Sequence, residues 1–330
     1  MTQGQNILTF PIFPLPLSSP PLTTPHHLLL EMPYINVRGV EHYYEWIRKP
    51  SIVSQPKPVM VFVHGWAGSA RYWQSTATAL LEQFDCLLYD LRGFGRSRGK
   101  PTAVTKASEA VVEPDSPQEE LQALTELTYE LEEYAHDLAA LLNGLQIQRA
   151  YVHAHSMGAS ITTLFLNRYP EQVEKAILTC SGVFEYDEKA FAAFHKFGSY
   201  VVKFRPQWLA KIPLVDRMFI ARFLHRPIPA SERRAFLQDF LLADYEAALG
   251  TIFTSVSKAA AELMPQEFTK ITVPTLLVSG EYDKIIPAEM GRQAARLNQA
   301  VKYVMIPGTA HFPMLEDPPT YLQRVREFCQ

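Results

Sequence analysis

From about residue 34 onward, short apolar runs alternate with stretches whose apolar residues recur at three and four. Short apolar runs suit buried strands, and the three-and-four spacing suits helices lying on them. YINVRGVEHYYEWI reads as a hairpin of two short strands about Arg38-Gly39. PVMVFVHG (58–65), FDCLLYD (84–90), RAYVHAH (149–155), KAILTCS (175–181), VPTLLVSG (273–280) and AVKYVMIPG (300–308) read as further strands. Helical spacing covers 70–83, LTYELEEYAHDLAALLNGL with a stop at Gly144, and SMGASITTLFLNRY (156–169). It returns between the last two strands and after Asp317-Pro318-Pro319. Strands alternating with helices predict an α/β fold, a mainly parallel, doubly wound sheet with helices on both faces.

Three stretches break this rhythm. Residues 1–33, with PIFPLPLSSPPLTTP inside, form a Pro-rich tail without periodicity. The segment from about 100 to 128 holds Pro101, Pro114 and Pro117 among acids including Glu113, Asp115, Glu119 and Glu120, and reads first as a loop. Residues 184–268 show no clear strand but many aromatics, and read as a helical insertion. The sheet-forming body is then split into 34–183 and 269–330.

Hydrophobic residues make up 47% of the 330, enough for a large core. The net charge of −3 gives no case for nucleic-acid binding. Within that balance Lys189–Arg234 is exceptional, with ten Lys and Arg against Asp216 and Glu232. Together with Phe residues at helical spacing, it invites weak peripheral contact with an anionic membrane, Arg222, Arg226, Arg233 and Arg234 being the cations to test. Cys86, Cys180 and Cys329 are too few and too scattered for a disulfide framework or a zinc site. A reducing, cytoplasmic compartment fits that usage. No apolar run approaches the roughly 18 residues that span a bilayer, and the first 30 residues lack the Lys or Arg of a signal peptide. No metal-ligand spacing appears, and no cofactor is implied.

Ala154-His155-Ser156-Met157-Gly158 puts a serine between small residues where a strand gives way to a helix. A sharp turn there would expose the hydroxyl above the carboxyl edge of the sheet, beside a helix N-terminus that favours negative charge. An ordinary helix-capping serine would use the same residues. A serine hydroxyl needs a general base to attack, and a histidine base needs an acid to fix its tautomer. Asp283 and His311 each follow a predicted strand, at the edge where such sheets form their sites. Glu281 could replace Asp283. His153 and His155 point to one side of their strand and read as satisfied histidines packed around the turn. Arg92-Gly93-Phe94-Gly95-Arg96 lacks the Lys-Ser/Thr of a phosphate loop and reads as a tight loop beside the site.

HGWAGS (64–69), DLRGFGRS (90–97), AHSMGA (154–159), GEYDKIIP (280–287) and GTAHFPMLEDP (308–318) together resemble the α/β-hydrolases that carry a helical cap. They stand in that family's order and span about 34 to 330. The resemblance implies Ser156 as nucleophile, His311 as base, Asp283 as its orienter, and an oxyanion hole from the backbone N–H groups of Trp66 and Met157. His64 and Gly65 belong to the loop that holds this hole, and residues 184–268 become the cap.

A serine at the turn implies acyl transfer to water, and so cleavage of an apolar ester-like small molecule through an acyl-enzyme. Carbon–carbon hydrolysis, thioester hydrolysis and acyl transfer to an alcohol use the same fold, as do ligand receptors without catalysis.

Overall fold

The computed structural model describes Met1 and residues 33–49, 57–98 and 127–330. The Pro-rich tail and most of the acidic stretch lie outside the described residues. β1 (Tyr34–Val37) and β2 (Val40–Ile47) form the expected hairpin. Arg38 and Gly39 both take positive φ, 51° and 86°, as a two-residue primed turn requires. The strain this puts on Arg38 is offset by its guanidinium, which binds Asp137 at 3.0 Å and Glu133 at 2.6 Å.

β3 (Val59–Val63) leads through a short 3₁₀ turn into α1 (Gln74–Leu80), and β4 (Asp85–Tyr89) follows. Beyond the undescribed gap come α2 (Leu131–Gly144), β5 (Ala150–His155), α3 (Met157–Arg168) and β6 (Val173–Thr179). The chain from β6 to the next strand is helical: α4 (Glu188–Lys203), α5 (Val215–Ile220), α6 (Ala230–Leu242), α7 (Tyr245–Ser255) and α8 (Lys258–Lys270). β7 (Thr275–Gly280), α9 (Ala288–Arg296), β8 (Val301–Ile306), α10 (Pro313–Glu316) and α11 (Pro318–Cys329) complete it.

The strands lie in the order β1-β2-β4-β3-β5-β6-β7-β8. β2 runs antiparallel to β1 and β4, and every neighbouring pair from β4 to β8 is parallel. Central strands are buried on both faces, so they read as continuous apolar runs rather than alternating ones. Successive residues still serve opposite faces. Met60 and Phe62 pack in one core with Trp73, Leu88 and Tyr321; Val61 and Val63 pack in the other with Leu138, Val152 and Phe165. Met264 and Phe268 of α8 belong to that second core, so the last helix of the insertion is built into the body. The order reverses at β3, which has β4 on one side and β5 on the other. A crevice forms outside the carboxyl ends of strands at such a reversal. His64 and Ser156 stand there.

Candidate active site

Ser156 occupies the single residue between β5 and α3, with φ 54° and ψ −124°. This is a strained conformation for a side-chain-bearing residue, held by its neighbours. Its N–H donates to the Thr179 carbonyl at 2.9 Å, and its own carbonyl accepts from Ala159 at 2.8 Å. Gly158 is required by space: a Cβ there would stand 2.4 Å from the His64 carbonyl oxygen. A Cβ on Gly65 would lie 3.1 Å from that of Ser156, so the loop after β3 passes hard against the serine.

His311 Nε2 lies 3.1 Å from Ser156 Oγ, and His311 Nδ1 lies 2.7 Å from Asp283 Oδ2. A carboxylate only accepts, so the proton sits on Nδ1 and the Nε2 lone pair faces the hydroxyl. Burial alone would push the Asp283 carboxyl up; His311 and the N–H groups of Ile285 and Ile286 hold it below its ordinary value instead. Asp283 therefore stays ionised where it supports the imidazole. The loops carrying both residues are locked together. Tyr282 N–H donates to Thr309 O at 2.8 Å, and any side chain on Gly280 would strike Ala310. Glu281 points away, accepting from Gly308 N–H at 2.8 Å across these loops.

The loop after β3 is fixed by two histidines and a tyrosine. Leu91 N–H donates to His64 Nε2 at 2.8 Å, so His64 is protonated on Nδ1, which donates to Gly65 O at 2.8 Å. His155 Nε2 lies 2.7 Å from the His311 carbonyl, which can only accept. Its Nδ1 is then a lone pair that takes the Tyr72 hydroxyl proton at 3.1 Å, and that hydroxyl accepts from Gly65 N–H. One directed chain thus joins the backbone of the Gly65 loop to the backbone of His311. Trp66 follows in this loop, and Met157 is the first residue of α3, whose opening N–H groups have no partner within the helix. His155, Cys180 and His311 approach within 4.8 Å of one another. Both nitrogens of each ring take part in the hydrogen bonds above.

An aromatic wall from the insertion faces His311. Phe223 lies 6.0 Å from the His311 ring, and Phe219 packs on Phe240 at 4.6 Å. Glu316 ties this wall to the His311 loop. Its buried carboxylate accepts from His225 at 2.7 Å, Arg226 at 2.8 Å, Ala310 at 2.9 Å and Phe312 at 3.3 Å. His311 N–H itself donates to Phe223 O at 2.9 Å. On the other side Trp66 Nε1 donates to Ala248 O at 3.0 Å, while Asp239 binds Ser69 at 2.6 Å and Arg71.

The expected loop at Arg92–Arg96 is an internal brace. Arg92 is buried on Asp137 at 2.8 Å, and Arg96 binds Asp90 at 2.8 Å. His155 and His153 lie on one side of β5, as expected, but only His155 is satisfied at both nitrogens. His153 bonds Tyr321 Oη at 2.6 Å, and its Nδ1 has no partner among the described residues. Two of the four cations singled out for a membrane are engaged elsewhere: Arg226 with Asp317 at 2.8 Å and Arg233 with Asp216 at 3.1 Å. The sequence reading passed over Tyr72 and Glu316, whose partners are distant in sequence.

The family model for the alpha/beta hydrolase fold matches residues 58–318. The protein belongs to the α/β-hydrolases. It is similar to the hydrolase YugF of Bacillus subtilis, with 22% identity over 89% of this chain and 96% of that one. It is also similar to the bifunctional esterase/perhydrolase DCH of Acinetobacter calcoaceticus, with 24% identity over 85% and 93%. Among solved structures, the enol-lactonase of Burkholderia xenovorans superposes with a TM-score of 0.66 at 19% identity, covering 90% of this chain and 99% of that one.

Proposed function

We propose that the protein is a serine hydrolase that cleaves an ester of a small or medium apolar molecule through an acyl-enzyme. The observation that carries this reading is the proton-ordered line Ser156–His311–Asp283 at 3.1 and 2.7 Å. His311 Nε2 takes the proton as Ser156 Oγ attacks the ester carbonyl. Asp283 stays ionised and stabilises the imidazolium. The developing oxyanion is received by the N–H groups of Trp66 and Met157, with the positive end of α3 behind it. The imidazolium returns its proton to the leaving alcohol. A water, activated by the same Nε2, then releases the acid and restores Ser156.

The aromatic wall of Phe219, Phe223 and Phe240 makes the pocket apolar, and the inserted helices that carry it, α5 and α6, act as the cap that sets substrate length. Names such as esterase and enol-lactonase among the relatives support ester bonds as the substrate class. The test is a series of p-nitrophenyl esters of graded chain length beside one carbon–carbon hydrolase substrate, with an organophosphonate label mapped by mass spectrometry. We expect ester turnover with an optimum in chain length and labelling at Ser156. No turnover of any ester overturns the reading.

A further inference from the structure

The outer side of the inserted helices breaks the usual rule for a surface. On α4, Phe197 and Tyr200 are turned to solvent, as is Phe204 just past its end, while Gly198 and Val202 are buried behind. The apolar exposure continues through Trp208, Leu214 and Met218, from 53% at Trp208 to 76% at Met218. Scattered exposed apolar residues are ordinary, but a run this large marks a surface that meets something. Its charge says what. From Lys189 to Val215 there are five cations and no acid. Lys189, Lys196 and Lys203 recur every seven residues along the edge of the aromatic face. Lys211, Arg217 and Arg222 stand exposed further on. A cavity of about 350 Å³ opens among Val202, Lys203, Phe204, Arg205 and Tyr245; Lys203 is exposed there, while Arg205 is tied to the Val202 and Phe240 carbonyls at 2.8 Å each.

We propose that this face docks on an anionic membrane surface. Aromatic side chains enter the headgroup layer, and lysines and arginines bracket them at the phosphate level. A second copy fits poorly, because a two-fold contact would set the lysine edge of the aromatic face against itself. The placement also has a use. Met218 and Phe219 are adjacent on α5, the first outermost and the second on the wall that leads to His311, so the docked face lies one helix away from the pocket.

Docking is tested apart from the chemistry by using Ser156→Ala protein. It is pelleted with phosphatidylcholine vesicles with and without phosphatidylglycerol, at low and high salt. Binding is expected only with phosphatidylglycerol, and is expected to be lost at high salt. Replacing Lys196, Lys203 and Lys211 by Gln lowers partitioning about a hundredfold, since each cation near such a surface contributes about fivefold. Phe197→Ser with Trp208→Ser weakens binding without changing the charge. Lys302→Gln, on β8, leaves binding unchanged. The same patch variants made with Ser156 intact keep wild-type turnover of a soluble aryl ester, which shows that they fold. No pelleting with anionic vesicles at low salt overturns the proposal. So does self-association that the serine variants abolish while vesicles bind nothing, which makes the face a dimer contact.

Discussion

The Tyr72 hydroxyl stands 3.1 Å from His155 Nδ1 and takes the N–H of Gly65 as its own acceptor bond. Burial pushes the Tyr72 phenol well above its ordinary value, so it remains a neutral donor at any working pH. Tyr72→Phe leaves the Gly65 N–H buried without an acceptor, a cost of about 1–3 kcal/mol. We expect kcat for a soluble ester to fall about 10- to 100-fold with KM nearly unchanged, because the loop beside Ser156 shifts while the pocket does not. Steady-state kinetics and the phosphonate labelling rate should fall together. An unchanged kcat would mean that the loop holds its place without this bond.

Ser156→Ala is expected to abolish hydrolysis by about 10⁴-fold or more, since such residues act as a unit. Ala meets the same strain as Ser at φ 54°, so thermal unfolding should be close to that of the parent. Near-normal turnover in this variant removes the mechanism.

Asp283→Asn should cost about 10⁴-fold, because the amide favours the wrong tautomer at His311. Glu281→Gln should cost only a few-fold, since the new amide oxygen still accepts from Gly308 N–H. Comparing kcat/KM for the two variants decides which residue orients the base, and the opposite ranking refutes Asp283.

Most of this arrangement was legible because it is local. The strands announce themselves as apolar runs, and Ser156, Asp283 and His311 each sit just past the end of one. The period of two in β5 was enough to place His153 and His155 on one side. It could not say which would be satisfied, because Tyr321 and Tyr72 arrive from 168 and 83 residues away. Tyr72 lay within an ordinary helical stretch and looked like any core tyrosine. Arg226 and Arg233 counted as free cations in a basic segment until the fold brought Asp317 and Asp216 to them. Long-range partners of polar side chains leave no periodic trace.

Glu316 is the clearest of these silent residues, a buried carboxylate receiving four backbone N–H groups from both the insertion and the His311 loop. Gln offers one acceptor oxygen and turns two donors against two others. We expect Glu316→Gln to lower stability by about 3 kcal/mol, in the range of hydrogen bonds to charged groups. Activity should fall more than binding, because His311 rides on the displaced loop. Urea unfolding and kinetics on one preparation would check both, and parent-like stability would refute the brace.

His153 sets the last expectation, which concerns acid. Its ring stacks on Phe62 at 5.1 Å and Tyr321 at 5.8 Å, and burial drives its pKa down to about 3, against 6.5 unperturbed. Between these values the unfolded chain holds a proton that the folded protein refuses. Stability is therefore complete above 6.5 and is lost as pH falls towards 3. By about pH 5 the loss from this residue alone is about 2 kcal/mol. His42, His64 and His155 are lowered by burial too and act in the same direction. His153→Phe removes one of these protons while keeping the stacked ring, and Tyr321 keeps its hydrogen bond to Thr179. The variant should therefore lose about 2 kcal/mol less than the parent between about pH 7 and about pH 5, measured by urea unfolding at each. An equal loss in both proteins would mean that His153 accepts its proton without unfolding, and that the acid sensitivity comes from the other three histidines.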